Sequence, residues 1–200
     1  MSGDGLPERC VDLLRHGEVV GGPCFRGSRD DPLTERGWSE LLGATQPIAD
    51  GTGWDALLCS PMRRCADFAQ ALGARHGLPV TTLPGLGERH FGDWEGLPAA
   101  ALPAADLAAF WQDPIGFTPP GAEPFADFRA RVLAAWGQVQ TGAGERTLVV
   151  THGGVVRVIV GDVLSLPATS LLLLEVPHAC RTRIRLPRGA GLPSLVSHGG

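Results

Sequence analysis

The chain has 200 residues, 44% of them hydrophobic, and a formal net charge of −4 at pH 7. These values predict one well-buried domain over residues 1–200 and argue against disorder or a basic face that binds nucleic acid. All 17 basic residues are arginine. The absence of lysine excludes Schiff-base chemistry and the lysine-dependent P-loop, so any bound anion must be held by arginine, histidine or backbone N–H groups.

Targeting signals are not evident in the sequence. The N-terminus lacks the basic and apolar regions of a signal peptide, and no apolar run approaches the length of a transmembrane helix. We therefore predict a cytoplasmic protein that does not bind membranes. The 5 cysteines are odd in number and none has C-x-x-C spacing, which predicts reduced thiols rather than disulfides or a zinc site.

Strand-like and helix-like segments alternate along the chain, which predicts a three-layer α/β/α fold around a mostly parallel central sheet. The predicted strands cover residues 10–14, 54–59, 80–83, 146–151, 171–176 and 182–186. The predicted helices cover residues 34–49, 98–112, 125–139 and 155–164. A further helix is predicted after the second strand, with Ser60 as its N-cap and Pro61 at its first position. We expect residues 97–121 to form a loop and helix that cover the substrate. The Gly-rich residues 188–200 are expected to form a loose tail.

Polar side chains follow four predicted strands at their carboxyl ends. They are Arg15 and His16, Ser60 with Arg63 and Arg64, Glu88 with Arg89 and His90, and Thr151 with His152, Gly153 and Gly154. Because ligands of open α/β sheets bind outside the carboxyl ends of the strands, we expect these groups to converge on one site.

This set of side chains fits the chemistry of phosphate esters. Arginine forks bind tetrahedral oxyanions, and the helix that opens at Gly153 and Gly154 offers free N–H groups to an anion. A neutral histidine can attack phosphorus, while a carboxylic acid such as Glu88 can protonate the leaving oxygen and later deprotonate water. The sequence therefore predicts a phosphate-handling site.

Five segments, in this order, resemble the motifs of the histidine phosphatase (phosphoglycerate mutase-like) superfamily. They are LRHGE at 14–18, SPMRR at 60–64, LGERHFGDWEG at 86–96, PGAE at 120–123 and VVTHGGV at 149–155. The resemblance implies the superfamily's α/β fold and a hydrolase that releases phosphate from monoesters without a cofactor or a metal.

The resemblance also implies roles for individual residues. His16 matches the nucleophile that becomes phosphohistidine, and Glu88 matches the proton donor. Arg15, Arg64 and His152 match the groups that clamp the phosphoryl oxygens, with the Gly153 backbone N–H completing the site.

Within the superfamily, residues 26–34, RGSRDDPLT, are similar to a stretch of the bacterial α-ribazole phosphatases of cobalamin nucleotide-loop assembly. This likeness implies α-ribazole 5′-phosphate as the substrate. Two positions depart from the superfamily pattern, because Val19 and Gly22 stand where many relatives carry a hydroxyl residue and an asparagine that touches phosphate. We expect Arg26, Ser28 or Arg29 to replace that contact. Gly27 and Arg89 complete the expected substrate-binding set.

Several other enzyme classes can be tested on the sequence. None of the cysteines has arginine six residues further on, so a cysteine-based phosphatase with C-x5-R is excluded. No H-x-H or H-E-x-x-H motif is present, which argues against a metallophosphatase. A sugar-phosphate or nucleotide phosphatase, a mutase-like enzyme and a non-catalytic phosphate-binding relative stay open, and the sequence does not predict an oligomeric state.

Overall fold

The computed structural model describes residues 9–46, 53–142 and 144–199. Its strands are β1 (Arg9–Arg15), β2 (Ala56–Cys59), β3 (Val80–Thr82), β4 (Arg146–Thr151), β5 (Arg181–Leu186) and β6 (Ser194–His198). They form one sheet in the order β3-β2-β4-β1-β5-β6. The first four strands are parallel, whereas β5 and β6 run antiparallel to their neighbours. The predicted α/β class with a mostly parallel sheet is confirmed.

Five α-helices cover the sheet: α1 (Glu35–Ala44), α2 (Arg63–His76), α3 (Ala104–Gln112), α4 (Phe125–Thr141) and α5 (Gly153–Val163). Neighbouring strand residues point to opposite faces, so Leu13 packs in the cluster formed with α4 and α5 and Leu14 in the cluster formed with α1 and α2. Helices on both faces leave the central strands no solvent side, which explains the uninterrupted apolar run of β4.

The register of the central strands aligns their carboxyl ends. Arg15 of β1 lies opposite Thr151 of β4, and Cys59 of β2 lies opposite Val150. The residues that follow these strands, His16, Ser60 and His152, therefore emerge side by side at one edge of the sheet.

Three predicted elements were wrong. Residues 171–176 are not a strand, because the chain forms a 3₁₀ helix at Ala168–Leu173 that buries Leu171 and exposes Leu172 and Leu173. The tail is not loose throughout, because Ser194–His198 pairs with β5 as strand β6. The helix predicted over 34–49 ends at Ala44, and residues 47–49 lie outside the described part of the chain.

The predicted cap of α2 was also wrong. The helix begins at Arg63 after Met62, which makes no side-chain capping bond. Ser60 stays outside the helix because its Oγ bonds to His152 Nε2 at 2.7 Å and accepts the Met62 N–H at 3.2 Å.

The turn after His16 is packed against α1. A Cβ on Gly17 would lie 2.2 Å from the carbonyl oxygen of Gly37, so only glycine permits this approach. Thr34 caps α1 through the Gly37 N–H, and its hydroxyl also donates to Glu18. The turn that follows His16 is therefore positioned by a helix on one face of the sheet.

The Gly17→Ala variant tests this positioning. The added methyl group has to displace the turn from α1, which we expect to cost about 1–3 kcal/mol of stability, as overpacking does elsewhere, and to lower kcat. Gly43→Ala in α1 is the matched control, since a Cβ on Gly43 would meet nothing within 4 Å. Urea midpoints and kcat are measured for both, and equal behaviour of the two variants would contradict the close packing.

Candidate active site

His16 lies at the carboxyl end of β1 and is only 6% exposed. Its backbone N–H donates to Thr151 across the sheet, and its ring Nδ1 lies 2.8 Å from the carbonyl oxygen of Gly17. A carbonyl can only accept, so Nδ1 carries the proton and Nε2 holds the free lone pair of the neutral ring.

The charge state of His16 follows from its surroundings. Burial, followed by the cations Arg64 and Arg15, lowers the pKa of His16 well below its usual value of 6.5. The imidazole is therefore neutral at physiological pH, which is the state in which Nε2 can act as a nucleophile.

Arg64 lies behind His16 and is completely buried. Its Nη1 and Nη2 donate to the carbonyl oxygens of Arg29 and Gly27 at 2.7 and 2.8 Å. Its Nε approaches Nδ1 of His152 at 3.3 Å, so that His152 donates from Nε2 to Ser60. Arg64 therefore connects the second histidine to the backbone of residues 27–29.

His152 packs directly against His16, with ring centroids 5.2 Å apart. Burial, Arg64 and His16 lower the pKa of His152 well below 6.5, so this ring is also neutral. The structure thus brings Arg64 and His152 together with His16 as predicted, but it places both behind the cleft rather than on its wall.

Arg15 reaches the cleft itself. Its Nη1 donates to the Val176 carbonyl oxygen at 2.6 Å, while its buried Nε has no hydrogen-bond partner. Within the described chain no carboxylate forms an ion pair with Arg15 or Arg64. An unpaired donor on one guanidinium, with the second guanidinium of Arg64 close enough to act on its charge, is a local environment that favours an anion.

Glu88 also lines the cleft. Its carboxylate accepts the N–H of Gly154 at 3.0 Å, in the first turn of α5, and the N–H of Arg89 at 3.0 Å. These bonds fix the carboxyl group near the Gly153 segment, where it can exchange a proton with a group in the cleft.

The segment that carries Glu88 is held by Arg131 of α4. The Arg131 guanidinium donates to the carbonyl oxygens of Gly85, Gly87 and Glu88 at 2.7–3.1 Å. It also forms an ion pair with Glu123. Arg131 is thus a positioning residue that the motifs did not reveal, because its partners are backbone atoms distant in sequence.

The cleft has a volume of about 660 Å³. It is lined by Arg15, His16, Glu88, residues 18–24, Arg26, Thr34 and His178. His178 was not predicted, since it belongs to no motif and the fold alone brings it to the cleft. Its ring centroid lies 5.7 Å from that of His16, and the next residue, Ala179, donates its N–H to the His16 carbonyl.

The expected substrate-binding residues are only partly at the cleft. Arg26 lines it, but its guanidinium is bound to Asp31 and to the carbonyl oxygens of Val20 and Gly22. Arg29 forms an ion pair with the same carboxylate. Neither arginine is therefore free to replace the asparagine contact expected at Gly22.

Residues 27–29 instead form a structural loop around Glu95. The Glu95 carboxylate accepts the backbone N–H groups of Gly27, Ser28 and Arg29. Burial opposes ionisation of this carboxyl group, but these bonds and that from Phe91 lower its pKa overall. Gly27, Ser28 and Arg29 are not on the cleft wall, and Arg89 lines a second cavity on the other side of Glu88.

Comparison with known proteins agrees with this geometry. The sequence model of the histidine phosphatase superfamily (branch 1) matches residues 11–198. The chain belongs to this superfamily and is a phosphatase, a hydrolase of phosphate monoesters.

Two similar relatives have different substrates in their names. A glucosyl-3-phosphoglycerate phosphatase from Mycolicibacterium vanbaalenii is 32% identical, over 80% of this chain and 76% of the relative. The adenosylcobalamin/α-ribazole phosphatase of Escherichia coli is 28% identical, over 86% and 87%. The crystal structure of a putative α-ribazole-5′-P phosphatase from Escherichia coli superposes with a TM-score of 0.85 at 25% identity, covering 96% of this chain and 97% of the other.

The described residues contain neither a candidate metal centre nor a candidate membrane span. No group of three or more His, Cys, Asp or Glu side chains is arranged to hold a metal ion in this part of the chain. No helix in it combines the length and the apolar character needed to cross a membrane.

The two buried histidines predict how stability depends on pH. Each is neutral in the fold and binds a proton near pH 6.5 once unfolded, so the unfolded state holds more protons below that pH. We expect the free energy of unfolding to be constant above pH 7.5 and to fall below pH 6.5, by up to about 1.4 kcal/mol per pH unit for each histidine. Urea titrations between pH 8 and 5 measure this slope.

Matched variants assign the slope to the site. His16→Gln removes one of these groups and should reduce the pH dependence, to which His152 and His178, whose pKa values are also lowered in the fold, still contribute. His76→Gln, at an exposed position of α2, should leave it unchanged. A wild-type stability that is independent of pH between 7 and 5 would contradict neutral burial of both rings.

Arg131→Met tests the positioning of Glu88. Loss of the three carbonyl contacts should misplace the carboxyl group and lower kcat about 10- to 100-fold, the range that a misplaced acid or base costs. The loss should be larger for an alkyl phosphate than for p-nitrophenyl phosphate, whose leaving group needs no proton. Arg129→Met on the same helix, an exposed arginine 4.0 Å from Asp162, is the control. Equal losses on both substrates would indicate a general structural effect instead.

Proposed function

We propose that this protein is a metal-independent phosphomonoesterase that works through a phosphohistidine at His16 and acts on α-ribazole 5′-phosphate in the cytoplasm. We place the function in a single domain of residues 1–200, with residues 97–121 covering the substrate. One observation carries the mechanism: a buried, neutral His16 presents a free Nε2 beside two guanidinium groups that have no carboxylate partner.

The first step forms the phosphoenzyme. The Nε2 lone pair of His16 attacks phosphorus, the bond to the leaving oxygen breaks, and the protonated Glu88 donates its proton to that oxygen. The proton stays on Nδ1, which donates it in a hydrogen bond to the Gly17 carbonyl oxygen. This bond stabilises the positive charge that develops on the ring.

The second step regenerates the enzyme. The Glu88 carboxylate takes a proton from water as the water oxygen attacks the phosphohistidine, which releases inorganic phosphate and neutral His16. In both steps the unpaired Arg15 Nε and the Gly153 N–H bind phosphoryl oxygens. The charge of Arg64 and the dipole of His152 stabilise the phosphoryl group from behind.

The leaving group is inferred from the charges of the cleft. Arg15 and Arg26 are the arginines that line it in the described structure, and the guanidinium of Arg26 is already occupied by Asp31 and two carbonyls. A glycerate leaving group brings a second acid that would need its own cation, whereas a nucleoside such as α-ribazole is uncharged. This difference, with the similarity to the Escherichia coli α-ribazole phosphatases, favours the nucleotide over glucosyl-3-phosphoglycerate.

The His16→Ala variant tests the mechanism. We expect it to lose turnover and the acid-labile phosphoenzyme trapped by rapid acid quenching, because no other group supplies the attacking lone pair. His76→Ala is the control at an exposed histidine, and wild-type activity should persist in EDTA. Turnover by His16→Ala, or a loss in EDTA that metal restores, would contradict the mechanism.

A substrate panel tests the choice of leaving group separately. We expect kcat/KM for α-ribazole 5′-phosphate to exceed that for glucosyl-3-phosphoglycerate and 3-phosphoglycerate by at least about tenfold. A preference for either glycerate ester would contradict the substrate while leaving the phosphohistidine mechanism intact.

A further inference from the structure

A second cavity lies on the side of Glu88 that faces away from the rim of the cleft. It has a volume of about 120 Å³. Its wall contains the rings of Phe91, Phe110, Phe125 and Phe128, the aliphatic side chains of Ile115 and Val158, and the polar residues Glu88, Arg89 and Arg157. Glu88 is the residue that this cavity shares with the catalytic cleft. The two spaces therefore meet at the proposed proton donor.

Arg89, in the wall of this cavity, has one hydrogen-bond donor without a partner. Its Nε and Nη1 are fixed on the carbonyl oxygens of Glu123 and Pro114, at 2.9 and 3.1 Å. Its Nη2 has no hydrogen-bond partner and is buried, as is the whole residue, which is only 5% exposed. A buried N–H group without a partner costs free energy, which a ligand with an acceptor atom would recover.

The cavity continues into a wider groove. The groove has a volume of about 420 Å³ and shares Ile115, Phe125, Val158 and Leu171 with the cavity. Apolar cavities of about 150 Å³ take up a single benzene ring. The cavity alone is slightly smaller than that, but the adjoining groove adds the room that a two-ring system needs.

The chemistry of the reaction brings part of the substrate close to this cavity. The leaving oxygen must approach Glu88 to receive its proton, and Glu88 lines both the cleft and the second cavity, so a group attached to that oxygen can extend into either space. Four phenylalanine rings favour a flat aromatic group, and the lone N–H of Arg89 favours a ring nitrogen with a free lone pair.

We propose that this cavity binds the aromatic base of the substrate, a planar fused heterocycle whose unprotonated ring nitrogen accepts a hydrogen bond from Arg89 Nη2. The inference rests on the proposed function, since it assumes a nucleotide substrate with its phosphate at His16.

The test compares two substrates that differ only in the base. Steady-state kcat/KM is measured for α-ribazole 5′-phosphate and for ribose 5-phosphate, and their ratio is taken for each variant. Because both substrates use His16 and Glu88, the ratio cancels differences in folding and in the chemical step. We expect a wild-type ratio on the order of 10- to 100-fold, as expected for burying one aromatic group.

Filling the cavity should remove this preference. Ile115→Trp places an indole in the cavity and should bring the ratio close to one. Ala108→Trp adds the same side chain to an exposed position of α3 outside both cavities and should keep the wild-type ratio. A ratio near one in the wild type, or one that Ile115→Trp leaves unchanged, overturns the subsite while α-ribazole 5′-phosphate remains a substrate.

A synthetic substrate tests the contact with Arg89. The corresponding indole ribotide has CH in place of the free ring nitrogen and should lose about tenfold or more in kcat/KM, as expected for a hydrogen bond to a charged group. Equal rates for the two ribotides would overturn the Arg89 contact. If the enzyme hydrolyses ribose 5-phosphate but not α-ribazole 5′-phosphate, both the subsite and the substrate are overturned. A preference for 3-phosphoglycerate that Arg89→Lys abolishes would instead assign the cavity to a carboxylate.

Discussion

The complete burial of the Arg64 guanidinium is the constraint on which the site depends. A buried cation is expensive unless it is paired, and within the described structure Arg64 is held by two carbonyl oxygens and a histidine nitrogen rather than by a carboxylate. The protein meets this requirement with carbonyl dipoles from residues 27–29, whose own N–H groups are bound by Glu95. Positive charge therefore remains at the carboxyl edge of the sheet, where a phosphate ester can neutralise it.

The properties of both histidines follow from that charge. Two cations next to a buried imidazole disfavour its protonated form, so His16 and His152 stay neutral without a carboxylate to orient them. The same cations that keep His16 neutral also attract an anion to the cleft. Glu88 brings a carboxylate to the same place and is held there by the N–H groups of Arg89 and Gly154. The two arginines, the two histidines and Glu88 thus form one electrostatic unit.

Sequence reasoning succeeded where local pattern and topology act together. Apolar strands that end in Arg15-His16, Ser60 and His152 could be aligned in advance, because parallel strands present their carboxyl ends at one edge. It failed where distant contacts decide the outcome. Ser60 resembles an N-cap by its neighbours, yet its hydroxyl is used by His152, 92 residues away. The leucine-rich segment after Pro167 resembles a strand by composition, yet it coils as a 3₁₀ helix over α5.

The RGSRDD stretch shows the same limit for function. Its likeness to a substrate-binding motif suggested direct contacts, but the fold uses Gly27 and Arg29 to hold Arg64 and Glu95. Conversely, His178 and Arg131 have no local signal and were found only through their neighbours in space.

Aromatic packing links the residues around the two cavities. Phe25, which stands between the cleft residues Cys24 and Arg26, packs its ring 5.3 Å from Phe91 and 5.9 Å from Phe110. Those two rings form part of the wall of the second cavity. A group bound there would therefore press on the same cluster that supports the rim of the cleft. If a base binds there as proposed, its binding energy is available to order the residues around His16, and an enzyme that uses the non-reacting part of its substrate in this way raises kcat rather than only lowering KM.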